Sequence, residues 1–227
     1  MKLRTLLLGT AATLALAAPL ASAAVIDGTD ASDLLRGTRA ADTISAKAGD
    51  DLMFGWTGSD VMLGNAGNDV IFGGRGFDTI LAGADNDVVS AGPQRDVVLG
   101  QQGNDILMGG FGGDVLSGGS DNDRLVGAQG YDTLYAGPGE DILIAGRGND
   151  VLFARFPDNQ RDVLDCGPGR DVAYARAEDT VLANCERVVI VPSTSSLTDP
   201  ADEDTPPPAA TKPGEDRPAA ANDAESE

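Results

Sequence analysis

Gly73-Gly74-Arg75-Gly76-Phe77-Asp78-Thr79-Ile80-Leu81 is one copy of a nine-residue unit that runs fourteen times, without insertion or deletion, from Gly28 to Phe153. The sixth position is aspartate in every copy: Asp33, Asp42, Asp51, Asp60, Asp69, Asp78, Asp87, Asp96, Asp105, Asp114, Asp123, Asp132, Asp141 and Asp150. The eighth is always apolar, from Leu35, Ile44, Met53 and Met62 through Ile71, Ile80, Val89 and Val98 to Leu143 and Leu152. One inward apolar side chain per unit is therefore demanded in register with one carboxylate.

Glycine or alanine fills the first position of every copy, and glycine fills the fourth in nine, among them Gly49, Gly58, Gly76, Gly103 and Gly148. Such spacing marks backbone that needs positive φ or a close approach, which means a turn. Asp85 and Asp121 replace that fourth glycine in two copies, and short polar side chains tolerate the left-handed region better than most. Gln94, Ala31 and Ala40, at the same position, suit it less well. Positions seven to nine are β-favouring triplets such as Val70-Ile71-Phe72, in which the eighth residue points inward when its neighbours point out. A six-residue turn and a three-residue strand cannot bury a face alone, so the units must stack.

A glycine-rich nonapeptide in phase over so many copies reads as a Ca2+-binding β-helix repeat. The chain resembles the RTX family, the haemolysin-type calcium-binding β-roll, over 126 of its 227 residues. The resemblance implies an all-β fold: a right-handed parallel β-roll or β-solenoid of about seven 18-residue coils, two units to a coil. It also implies that the periodic aspartates, with Asp171 of a later degenerate copy, are ligands of multiple Ca2+ ions. The charges argue the same way. Carboxylates stacked at strand spacing, ~5 Å apart, repel by on the order of 3 kcal/mol per pair at an effective dielectric near 20. Calcium suits the need, since it takes six to eight oxygen ligands in forgiving geometry whereas Mg2+ demands a tight octahedron. A chain with no histidine and two cysteines is a poor zinc or copper protein. The alternative is a solenoid using aspartate only as a turn former.

Residues 1–23 read as a secretory signal peptide: Lys2 and Arg4, an apolar run from Leu6 to Leu20, then Ala21-Ser22-Ala23 as the cleavage site. The expected localisation is extracellular through a Sec-type leader, whereas the best-known RTX proteins leave by an uncleaved C-terminal signal. The domain plan is then a β-roll over 24–153, degenerate repeats and a C-terminal cap over 154–191, and an acidic tail over 192–227. The phase slips by three residues around Arg155-Phe156-Pro157 before the motif returns at Asp162-Val163-Leu164 and Gly167-Pro168-Gly169-Arg170-Asp171-Val172-Ala173. Cys166 and Cys185 lie nineteen residues apart, close to one coil, so the stack brings them within disulfide reach and an exported chain permits the bridge; free thiols are the alternative. The tail, rich in proline, alanine and acid, cannot bury a core and is expected to be disordered.

With 16 Lys and Arg against 36 Asp and Glu, the net charge of −20 argues against nucleic acid or an anionic membrane as partner. No second apolar run is long enough to span a membrane. The units starting at Gly28, Ala46, Gly64, Ala82, Gly100, Gly118 and Ala136 carry the extra acids Asp30, Asp50, Asp85, Asp121 and Glu140 and a run of Asn68, Asn86, Asn104 and Asn122. The alternate units carry Arg39, Arg75, Arg95 and Arg147 with Trp56, Phe77, Phe111 and Tyr131. That edge suits an anionic or glycan surface, or the asymmetry is surface drift. Apolar residues at the outward seventh and ninth positions, such as Phe54, Phe72, Ile106 and Met108, favour self-association or a partner. The leading reading is a non-catalytic, secreted calcium-binding protein with a structural, adhesion or surface-interaction role. The alternatives are a polysaccharide-active enzyme, such as a lyase or epimerase, and an ice-binding protein. Against an enzyme stand the lack of histidine for acid–base work and of any insertion that would build a cleft.

Overall fold

The structure, a computed structural model, describes residues 22–158 and 160–192. The expected signal peptide and acidic tail lie outside the described residues, apart from residues 22–23 and Pro192. Within them, nineteen strands alternate between two parallel sheets. Strands Val25–Asp27, Thr43–Ala48, Val61–Ala66 and every second one after them, to Arg187–Ile190, form a ten-stranded sheet. Leu34–Arg36, Leu52–Thr57, Val70–Arg75 and their successors, to Thr180–Val181, form a nine-stranded sheet. The fold is the expected all-β parallel solenoid, with about nine turns rather than seven. The additional turns are built by the flanks, because Val25–Asp27 pairs with Thr43–Ala48 at one end and the degenerate copies keep pairing at the other.

Register follows the repeat. Met53 pairs with Ile71 and Phe54 with Phe72, eighteen residues on. The slip near Pro157 lengthens this to twenty-one, as Ile142 pairs with Val163 and Val151 with Val172. The eighth-position side chains stack in the narrow space between the sheets; Leu35 and Ile44 through Leu143 and Leu152 are buried, joined by first-position alanines such as Ala46, Ala82 and Ala145. Each large one contributes about 1.5–3 kcal/mol of apolar burial. At the C-terminal end the core thins to Ala173 and Ala175. There the Cys166–Cys185 disulfide joins successive turns, with Cα atoms 5.1 Å apart, and a loop of that size contributes ~3 kcal/mol.

Interior strands are longer than the expected triplets. Leu52–Thr57 covers positions seven to nine of one unit and one to three of the next. Pairing skips the first position and resumes at the second and third, with Trp56 opposite Gly74 and Thr57 opposite Arg75. The true turn is therefore positions four to six, the glycine-x-aspartate segment. Asp85, Gln94 and Asp121 do hold positive φ at the fourth position, whereas Ala31 and Ala40 do not.

Candidate metal centres

Each periodic aspartate is fixed by the backbone of its neighbours in the stack. The Asp69 N–H donates to Asp87 Oδ1 at 2.7 Å, and the Asp87 N–H donates to Asp105 Oδ1 at 2.8 Å. The same bond recurs up both edges of the roll. One ladder runs from Asp33 through Asp51 and Asp141 to Asp162 and Asp179. The other runs from Asp42 through Asp60 and Asp150 to Asp171, where Glu186 Oε2 takes the aspartate's place at 2.7 Å. The aspartate carbonyls are also engaged, as in Val88 N–H to Asp69 O at 2.9 Å. Oδ1 is thereby committed to holding the coils together.

The other carboxylate oxygen is not. In Asp51, Asp60, Asp69, Asp78, Asp87, Asp96, Asp105, Asp114, Asp123, Asp132, Asp141, Asp150 and Asp171, Oδ2 is buried without a hydrogen-bond partner. A buried charged oxygen left so costs more than the ~1–3 kcal/mol of a neutral unsatisfied group, so a recurrent orphan points to a proton or a cation.

Backbone oxygen surrounds it. A Cβ placed on Gly55 would meet both Asp60 Oδ2 and the Gly73 carbonyl of the next coil; Gly64 and Gly100 show the same cradle with Asp69 and Ala82, and with Asp105 and Gly118. From the coil before, second- and fourth-position carbonyls crowd the glycines of the turn: a Cβ on Gly74 would meet Trp56 O, and one on Gly103 would meet Asp85 O. Among the described residues no three Asp, Glu, Cys or His side chains converge on one point. An ion here would have to draw on one or two carboxylates and on backbone carbonyls, a donor set of hard oxygens that fits calcium better than zinc.

Burial shifts these groups upward. It raises Asp87, helped by the like charges of Asp105 and Asp69, to about 8. Burial likewise lifts Asp96 to about 8 and, with Asp141 and Asp105 adding to it, Asp123 to about 9. Asp60 and Asp69 rise to about 6. Surface Asp50 moves down instead, because the Asn68 backbone N–H and side chain donate to it.

The fourteen aspartates in phase, and Asp171, are all buried on the two ladders. Asp33 and Asp42 differ from the rest, since Thr29 N–H and Oγ1 donate to Asp33 Oδ2 at 2.6 and 2.9 Å and Thr38 makes the same pair of bonds to Asp42. The ladder also takes in Asp162, which the sequence shows as the return of the motif but not as a ligand, and Asp179 and Glu186, which the repeat pattern does not mark. Each precedes a strand, at Val163, Thr180 and Arg187, so an acid-then-strand pattern freed from the fixed phase finds them.

The asparagines form a third, exposed ladder: Asn68 donates to Asp50, Asn86 to Asn68, and Asn104 to Asn86, each through N–H and Nδ2. On the opposite edge Trp56, Phe77, Phe111 and Tyr131 are exposed. Outward ninth-position rings stack across coils, Phe54 on Phe72 at 5.2 Å and Phe153 on Tyr135 at 4.8 Å.

No curated protein matches the chain. The family model of the RTX calcium-binding nonapeptide repeat (4 copies) matches residues 27–62, 63–98, 81–116, 99–134 and 117–152. These matches span more than half of the 227 residues, cover twelve of the thirteen turns with an orphaned carboxylate oxygen, all but that of Asp171, and place the chain in the RTX calcium-binding nonapeptide repeat family.

Proposed function

We propose that this protein is a secreted, non-catalytic calcium-binding module that folds on its ions and presents a rigid repeat surface for a structural or adhesive role. The observation that carries this reading is the recurrence of a buried, unpartnered Oδ2 in successive turns, with a backbone carbonyl of the next coil close by in several of them, such as those of Asp60, Asp69 and Asp105. Calcium supplies the positive charge that makes ionised ladders compatible with burial; the residues that would hold it are the sixth-position aspartates from Asp51 to Asp150, with Asp171. Export is supported by the leader-like residues 1–23 and the disulfide. A non-catalytic role is supported by the absence of histidine and by the commitment of each periodic carboxylate to a ladder. The exposed Arg and aromatic edge and the apolar outer face of the nine-stranded sheet, with Phe72, Ile106, Met108 and Ile142 all exposed, are the surfaces that suit an anionic or glycan surface or a second copy of the chain.

A paired substitution tests the assignment. Asp87 is an interior ladder member with neighbours Asp69 and Asp105, whereas Asp85 sits two residues earlier on the turn surface at φ 78°. At calcium a hundredfold above Kd each ion contributes ~2.7 kcal/mol. Asp87→Ala is expected to lower the calcium-dependent Tm substantially and to weaken binding by calorimetry. Asp85→Gly relieves a positive φ and is expected to be neutral or mildly stabilising. Equal losses from both would remove the periodic aspartates from the metal-binding role.

A further inference from the structure

The orphaned oxygens follow a rule that the repeat's consensus does not announce. In all thirteen turns where Oδ2 lacks a partner, the second residue of the unit has positive φ: Lys47, Trp56, Asn65, Gln101 and Ala128, and glycines at the other eight, from Gly74 to Gly167. Five of those thirteen residues are not glycine. Each carries backbone strain of about 1–2 kcal/mol, the kind of strain that persists where function over-determines the conformation.

In three turns whose second residue is not left-handed, that residue's own N–H closes on the carboxylate. Thr29 and Thr38 lack positive φ, and their N–H groups donate to Asp33 Oδ2 at 2.6 Å and Asp42 Oδ2 at 2.5 Å. Their hydroxyls add second bonds to the same carboxylates and also accept the Ala31 and Ala40 N–H groups, which lets the fourth position do without glycine. A third such turn lies at the other end of the stack. Arg176 also lacks positive φ, and its N–H donates to Asp179 Oδ2 at 2.6 Å. Its guanidinium is buried and donates through Nε to the Arg155 carbonyl at 2.8 Å, so the chain supplies a cation of its own to the terminal turn.

We propose that the backbone at the second position decides which turns bear ions, and that Thr29, Thr38 and Arg176 close their turns as metal-free seals at the two ends of the roll. A left-handed second residue withdraws its N–H and leaves Oδ2 for a cation; a right-handed or extended one spends the N–H on Oδ2. The seals leave the Oδ2 atoms of Asp33, Asp42 and Asp179 partnered before calcium arrives, which suits the terminal repeats of a solenoid. This inference rests on the calcium reading above and narrows it, since Asp33 and Asp42 carry the repeat signature yet fall outside the ion-bearing set.

The test is the number of ions bound by the full chain, counted by equilibrium dialysis and atomic emission at saturating calcium and pH 7.5. Asp33→Asn, Asp42→Asn and Asp179→Asn are each expected to leave the count unchanged, while Asp69→Asn and Asp78→Asn lower it. Restoring glycine at Thr29, Ala31, Thr38 and Ala40 together is expected to raise it by one or two. Loss of ions from Asp33→Asn or Asp42→Asn equal to that from Asp69→Asn, or no gain in the glycine variant, overturns the proposal while leaving the calcium reading standing. A wild-type count of zero overturns both.

Discussion

Chelating calcium from the protein at pH 7.5 is expected to abolish most of its β-sheet circular dichroism, and millimolar Ca2+, but not equal Mg2+, is expected to restore it. The roll has one large inward side chain for every nine residues, too thin a core to offset charge burial. Against it stand two ladders of carboxylates whose Oδ1 atoms accept backbone N–H groups and whose Oδ2 atoms accept nothing in thirteen turns. Adjacent charges ~5 Å apart cost on the order of 3 kcal/mol per pair even at an effective dielectric of 20, so several unneutralised pairs exceed the 5–15 kcal/mol by which typical domains are stable. The spaces between turns are lined by backbone carbonyls whose positions are set by strand pairing, which suits an ion of variable geometry better than one that insists on an octahedron at 2.0–2.1 Å. The Cys166–Cys185 bridge ties only the last turns and does not substitute for the ions. A calcium-free protein with unchanged β signal would contradict the charge argument.

Mild acid is expected to do part of calcium's work. Burial raises the ladder carboxyls from their ordinary value of 3.8, Asp87 and Asp96 to about 8 and Asp105, Asp132 and Asp141 to about 7. Below pH 3.8 both the folded and the unfolded chain hold these protons. As pH rises above 3.8 the unfolded chain ionises first, and the metal-free roll follows only as its carboxyls pass about 6 to about 9, so metal-free stability falls across that window. The same linkage makes calcium binding near neutrality release protons and strengthen as pH rises. In the presence of chelator, β-sheet signal is therefore expected to appear on lowering the pH from 7.5 to 5, still above the isoelectric point of about 4.1, and to vanish on return. Titration that leaves the chelated protein uniformly unfolded, or folds it only above pH 8, would show that the buried carboxyls are not what holds the apo chain open.

Much of this was legible in the sequence because the repeat repeats its physics. A carboxylate and an apolar side chain at fixed offsets placed Asp87 on the edge and Val89 in the core, and a separation of nineteen positions placed the two cysteines one turn apart. The outward seventh and ninth positions and the asparagine run were read in the same way and lie where the pattern put them. What escaped depends on the backbone rather than on residue type. Lys47, Trp56, Gln101 and Ala128 hold positive φ at the second position, yet none is a residue that advertises it. Thr29 and Thr38 look like ordinary substitutions until their hydroxyls are seen on Asp33 and Asp42. Asp179 and Glu186 were hidden because turns of altered length break the phase while the hydrogen-bonded ladder carries on across them.

The most direct measurement is anomalous X-ray scattering from crystals of the protein grown in calcium. Anomalous peaks are expected in two rows, one along each edge of the roll, each about 2.3–2.6 Å from the Oδ2 of a ladder aspartate between Asp51 and Asp171, and absent beside Asp33, Asp42 and Asp179. Peaks confined to the exposed Asp50 to Glu140 ladder, or no peaks beside the buried Oδ2 atoms, would contradict the assignment of those oxygens to calcium.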